Sequence, residues 1–188
     1  QSVSYIVTSY TRENPYISNF GEIPPEILSI SSFLEPLRMI KTPEEIDRIR
    51  HAIAITEKAQ KILRESLHSG MYEYEIEAII AGVFRSHHMT EAYPTIVASG
   101  PNACTLHYTA HTRQIQEWDL VLIDFGAEYE WYAADITRVF SVWAISERQR
   151  QIYESVLEVQ MYAKSLIRPW IQKQKNKKMV REKTNNEL

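Results

Sequence analysis

From residue 42 onward, hydrophobic and polar positions follow two different periods in turn. Ile46, Ile49, Ile53, Thr56, Ala59, Leu63 and Leu67 recur every three or four residues, the spacing of an amphipathic helix. Its start is written just ahead of the stripe. Thr42 stands at the N-cap, Pro43 at the first helical position and Glu45 three residues after the cap, which together make a capping box, while Gly70 marks a stop. A second helix is predicted over about residues 74–87, with Ile76, Ile79, Ile80, Val83 and Phe84 facing inward. The period then shortens. Residues 95–99 (TIVAS) are β-prone and closed by a turn at Gly100, Pro101 and Asn102; residues 120–123 (LVLI) read as a buried strand and 136–142 as another. Ser146 opens a third helix with Gln149 at the capping-box position. Ile152, Val156, Val159, Ala163 and Leu166 form its apolar face, and Arg168 and Pro169 end it.

The flanks are less patterned. Residues 1–37 hold strand-like runs such as YIVT at 5–8, broken at Asn14 and Pro15 and again at Pro24 and Pro25. They read as the end of a preceding domain plus a linker, with residues 38–188 as the main unit. The chain begins at Gln1 rather than Met, so its natural start is expected to be missing or removed. From Gln172 to the end the chain is polar and carries Lys173, Lys175, Lys177, Lys178, Arg181 and Lys183. Such runs are usually solvated helix faces, and that reading is preferred to a nucleic-acid patch. The order helix, helix, strands, helix, without internal repeats, predicts an α+β fold rather than strict βαβ alternation.

Composition narrows the class. Hydrophobic residues make up 44% and charged residues 24%, as in an ordinary globular protein. A net charge of −3 favours neither nucleic acid nor an anionic membrane as partner. No apolar run approaches the ~18 residues of a membrane span, and no basic-then-apolar leader is visible. The one cysteine, Cys104, excludes an internal disulfide and fits a cytoplasmic setting; it reads as a small apolar filler rather than a nucleophile.

Chemistry concentrates in residues 120–140, LVLIDFGAEYEWYAADITRVF. Asp124 ends one apolar strand and Asp135 opens the next, places where a carboxylate is costly to bury without a partner. A hairpin centred between Tyr129 and Glu130 would set the two directly opposite, with Cβ atoms ~5 Å apart. Carboxylates that close repel unless a proton or cation lies between them, and two divalent ions ~3.5–4 Å apart suit the spacing. Alternation puts Thr137 on the face of Asp135, where its hydroxyl would hold a carboxylate oxygen or a water. The competing reading is structural, with Asp135 paired to Arg138, and the residues alone leave both open. A hydrolytic di-metal centre also needs about five or six protein donors. His107, after the turn, is the next candidate as a proton-handling side chain, although a lone His is more often structural. His51, His68, His87, His88 and His111 fall mostly on helices or in polar loops.

TIVASG with Asn102, then LHY at 106–108, DLVLIDFG at 119–126 and YAADITR at 132–138 resemble the Xaa-Pro aminopeptidase and prolidase family. KTPEEI at 41–46 is similar to the entry of that family's catalytic domain, and the resemblance runs over about residues 36–170. It implies the N-terminal part of a pita-bread α+β fold, an antiparallel sheet covered by helices, and two metal ions, commonly manganese, held by two Asp, one His and two Glu. Asp124 and Asp135 match the two Asp ligands, His107 the His that contacts substrate, and Tyr93 and Thr137 positions that support the ligands. The implied reaction is hydrolysis of the bond between an N-terminal residue and a following proline, the metals stabilising the oxyanion. The implied partners are peptides with proline second, and a homo-oligomer is expected because family members often form one.

The sequence departs from the family twice. The ligand His and both ligand Glu find no match here, so metal binding should be weak or absent and the chain inactive alone. A non-catalytic pita-bread module that grips peptides or proteins is the alternative, with a creatinase-like, metal-free hydrolase as a weaker third. Retention of Asp124, Asp135 and His107 counts against both. Secondly, Trp118, Trp131 and Trp170, and with less clear alignment Trp143, stand where the family has glycine, and the chain holds 5 Gly against roughly 13 expected at the ~7% average. One reading makes these codons UGA, read as glycine in the source organism; the other makes them chance substitutions. With tryptophan in place, the hairpin around Trp131 should be strained.

Overall fold

The computed structural model describes residues 5–8, 26–169, 171 and 173–187. Trp170 lies outside them, as do most of residues 1–25. Two short strands, β1 (Tyr5–Thr8) and β2 (Glu26–Ser29), pair in parallel. Helix α1 (Ser31–Met39) follows, and residue 37 lies within it.

The capping box at Thr42 forms as its residues require. The Thr42 side chain accepts from the Glu45 N–H at 3.3 Å and the Glu45 carboxylate accepts from the Thr42 N–H at 2.6 Å. Helix α2 then runs over Pro43–Ser66 and buries Ala52, Thr56, Ala59 and Leu63. Helix α3 (Glu73–Ser86) buries Ile76, Ile80, Val83 and Phe84. Together they cover one face of an antiparallel sheet in the order β4 (Ile96–Ser99), β5 (Leu120–Phe125), β8 (Ile136–Ser141). Val97, Val121, Ile123 and Phe125 alternate onto that face and join the helices in one core, with the Phe84 and Phe125 rings 6.4 Å apart. Each such side chain fully buried contributes about 1.5–3 kcal/mol, which is why α2 and α3 stay on this face.

A second small sheet, in the order β3 (Thr90–Glu91), β6 (Ala127–Tyr129), β7 (Tyr132–Ala133), carries the hairpin tip. Thr56, inside α2, ties it down: its hydroxyl donates to Ala52 O at 2.8 Å and accepts the Ala127 N–H at 3.0 Å. Helix α4 (Glu147–Leu166) begins at the Ser146 cap with Gln149 completing the box. Helix α5 (Lys173–Glu187) takes up the polar tail and packs beside α4, with Lys183 bound to Glu158 at 2.7 Å.

Candidate metal and substrate site

The register of the hairpin corrects the expected one. Tyr129 pairs with Tyr132 and Glu128 with Ala133, so the loop is Glu130–Trp131, not a turn centred between Tyr129 and Glu130. Asp124 therefore faces Thr137, and Asp135 lies two residues along on the same side rather than directly opposite. Contacts with α2 select this register. Arg48 pairs with Glu130 at 2.6 Å, the Tyr132 hydroxyl donates to Glu45 at 2.8 Å, and the His51 ring meets Tyr129 at a 50° tilt with centroids 4.4 Å apart. Both loop residues have positive φ, 47° at Glu130 and 71° at Trp131, which suits a two-residue loop following the right-handed twist of the strands.

Gly126 makes the diagonal placement of the aspartates feasible. A Cβ at this position would overlap the Ala134 carbonyl, so only glycine lets the segment carrying Asp135 approach the end of β5 this closely. The Ala134 N–H to Ala127 O bond of 2.9 Å and the Phe125–Ile136 pair fix the chain on either side.

Tyr93 joins the pair. Its hydroxyl lies 2.6 Å from Asp124 Oδ1 and 3.2 Å from Asp135 Oδ1, so one phenolic proton faces two carboxylates. Burial raises the Tyr93 pKa well above the ordinary tyrosine value; the hydrogen bond to Asp124 and the charges of both aspartates push it further in the same direction. Arg138 does not pair with Asp135 and donates instead to Thr137 O at 2.8 Å. Thr137 is exposed on the Asp124 side of the sheet.

The donor set is all oxygen and anionic, which suits a hard divalent cation such as manganese. It is also small. Among the described residues no three His, Cys, Asp or Glu side chains converge as a metal cluster, so Asp124 and Asp135 stand without a third such side chain. His107 does not join them in such a group. It is exposed, has a φ of 52°, and sits in the loop that follows a 3-10 turn over Gly100–Cys104.

The sequence reading missed what holds that loop. Glu73, the first residue of α3, is fully buried. It accepts from the Ser99 N–H and hydroxyl, both at 2.7 Å, from the Asn102 amide at 3.1 Å, the Tyr108 hydroxyl at 2.8 Å and the Arg113 N–H at 3.1 Å. Burial alone would raise its pKa, but these donors outweigh burial and hold it below the usual carboxylate range. Asp119 is also buried and pairs with Arg113, closing the loop at its far end. In the sequence, Glu73 looks like any acidic residue in a first helical turn.

The sequence model of metallopeptidase family M24 matches residues 47–184. Over 162 residues the chain is 42% identical to a Xaa-Pro aminopeptidase of Haemophilus influenzae, covering 85% of this chain and 38% of that protein. It is 37% identical over 156 residues to a Xaa-Pro dipeptidase of Pyrococcus furiosus, covering 81% and 45%. Among solved structures, a single-residue variant of Escherichia coli aminopeptidase P in complex with substrate superposes with a TM-score of 0.86 at 32% identity, covering 99% of this chain and 46% of that one. Proline aminopeptidase P II from Yersinia pestis gives 0.84 at 32% identity, covering 95% and 44%. The chain thus spans less than half the length of these relatives, within the pita-bread architecture expected of it.

Proposed function

Because the chain belongs to metallopeptidase family M24, we propose that it supplies the first part of a catalytic domain that hydrolyses Xaa-Pro peptide bonds. The observation that carries this reading is the meeting of Asp124 and Asp135 on one side of the sheet with the Tyr93 hydroxyl between them. The catalytic portion starts near residue 38, and Asp124 and Asp135 are two of the ligands for a divalent pair, manganese by donor type. Bound there, the metals would polarise the scissile carbonyl and lower the pKa of the attacking water.

The chain's own groups have separable tasks. Asp124 and Asp135 provide negative charge on the open side of the sheet. Tyr93 supports their orientation by hydrogen bonding both, and Thr137 stands beside Asp124 as a further polar partner. His107, on its exposed loop, is the group that would meet the substrate. Two carboxylates bind a metal weakly, so residues 1–188 alone are inactive in this reading, and a homo-oligomer remains part of it. Among the described residues no helix is long and apolar enough to cross a membrane. A cytoplasmic location is proposed on composition.

The test is manganese titration followed by calorimetry or electron paramagnetic resonance, together with an assay on a proline-containing peptide. Weak binding that disappears in Asp124→Asn and in Asp135→Asn, with no turnover, is the expected result. Binding unchanged by either substitution would remove the aspartates as ligands. Turnover by these residues alone would overturn the partial-site reading.

A further inference from the structure

We propose that Glu73 is a positioning residue for His107, acting through the Tyr108 hydroxyl. This deepens the functional reading above and rests on His107 meeting the substrate. The loop between β4 and β5 is long, and His107 is exposed within it in a left-handed conformation uncommon for a non-glycine residue. Among the described residues the His107 side chain makes no hydrogen bond that would fix it. Its neighbour does. Tyr108 donates to Glu73 Oε2 at 2.8 Å, and its oxygen accepts from the Asn102 amide at 2.9 Å.

The same carboxylate takes donors from Ser99 before the loop, Asn102 at its start, Tyr108 in its middle and Arg113 further on. The Glu73 N–H also donates to Arg113 O at 3.1 Å, so backbone and side chain both grip the loop. One buried anion at the positive end of α3 therefore sets several points of a segment that has little apolar packing of its own. Leu106, on the other side of His107, is 91% exposed and anchors nothing. The direction of the imidazole is thus inherited from Tyr108 and, through it, from Glu73.

The test uses the chain labelled at histidine for NMR, with the His107 signal assigned by His107→Ala. Tyr108→Phe keeps the ring and removes only the hydroxyl. It should shift and sharpen the His107 imidazole signal and speed amide exchange over residues 103–112 about tenfold or more, with α3 core amides unchanged. Glu73→Gln should move the same signals in the same direction. Thr56→Val, which breaks a buried hydrogen bond elsewhere, should lower the urea midpoint and leave the His107 signal in place. His107 signals and loop exchange untouched by Tyr108→Phe, or moved equally by Thr56→Val, would overturn the inference. A second arm adds the tripeptide Ala-Pro-Ala. A His107 response in the unaltered chain that is weakened in Tyr108→Phe supports the inference, and an equal response in both opposes it. No response in the unaltered chain, with the Tyr108→Phe effects present, removes the substrate-contact reading and leaves the positioning intact.

Discussion

Trp131 combines two unfavourable properties: its φ is 71°, and its side chain is 91% exposed. The left-handed region costs a side-chain-bearing residue roughly 1–2 kcal/mol, and an exposed indole recovers little of it. Trp131→Gly should therefore raise stability by about 0.5–1 kcal/mol after the added freedom of the unfolded chain is subtracted, read as a higher urea midpoint. A lower midpoint would show that the indole is stabilising in a way its exposure does not reveal. Trp118 and Trp143, by contrast, are exposed without positive φ, so the expected backbone strain is confined to one of the described tryptophans. UGA codons at these positions, with a native mass lower by the difference between tryptophan and glycine at each, would establish that they are read as glycine.

Tyr93 gives a pH prediction at the same scale. Its folded pKa lies above the unfolded value of about 10, so the neutral phenol is the form the fold prefers. The stability it contributes is complete below about pH 10 and is lost as the pH rises from there through the folded pKa. Alkaline titration should then show Tyr93 phenolate absorbance appearing together with unfolding, and Tyr93→Phe should flatten that part of the stability curve. Ionisation of Tyr93 in the intact fold near pH 10 would contradict the shared-proton geometry.

Between elements, Gly126 controls how β5 and β6 meet the strand returning from the hairpin. Gly126→Ala forces its Cβ into the Ala134 backbone, which cannot move away as the tip of a flexible side chain can. A loss of about 3–4 kcal/mol or failure to fold is expected, together with loss of whatever manganese binding the parent shows. Normal stability in the variant would mean that the two strands are not held at this distance. The capping boxes of α2 and α4 were visible in the sequence because each depends on residues three apart. The hairpin register was not, since Arg48, Glu45 and His51 choose it from a helix some eighty residues earlier in the chain.

For the whole molecule, α4 leaves apolar side chains uncovered. Tyr153, Val156, Leu157 and Met161 are all exposed along it, and the face expected from Ile152, Val156, Val159, Ala163 and Leu166 is nowhere fully buried. The chain should therefore self-associate, with a sedimentation coefficient that rises with concentration. Val156→Lys combined with Met161→Lys should hold it monomeric. Association that persists in the double variant would place the contact elsewhere.

The sequence by itself determined the α+β class, the caps of α2 and α4, the periods of α2 and α3, the strand carrying Asp124 and the family. All of these depend on short-range spacing or on ordered motifs that need no partner in space to be read. Tertiary structure alone decided which residue faces Asp124, that Tyr93 spans both aspartates, and that Glu73 gathers the loop around His107. Those relations join positions far apart in the chain. Packing energy sets them: a shift of register or the loss of a buried donor is costly only once helix and sheet are in contact.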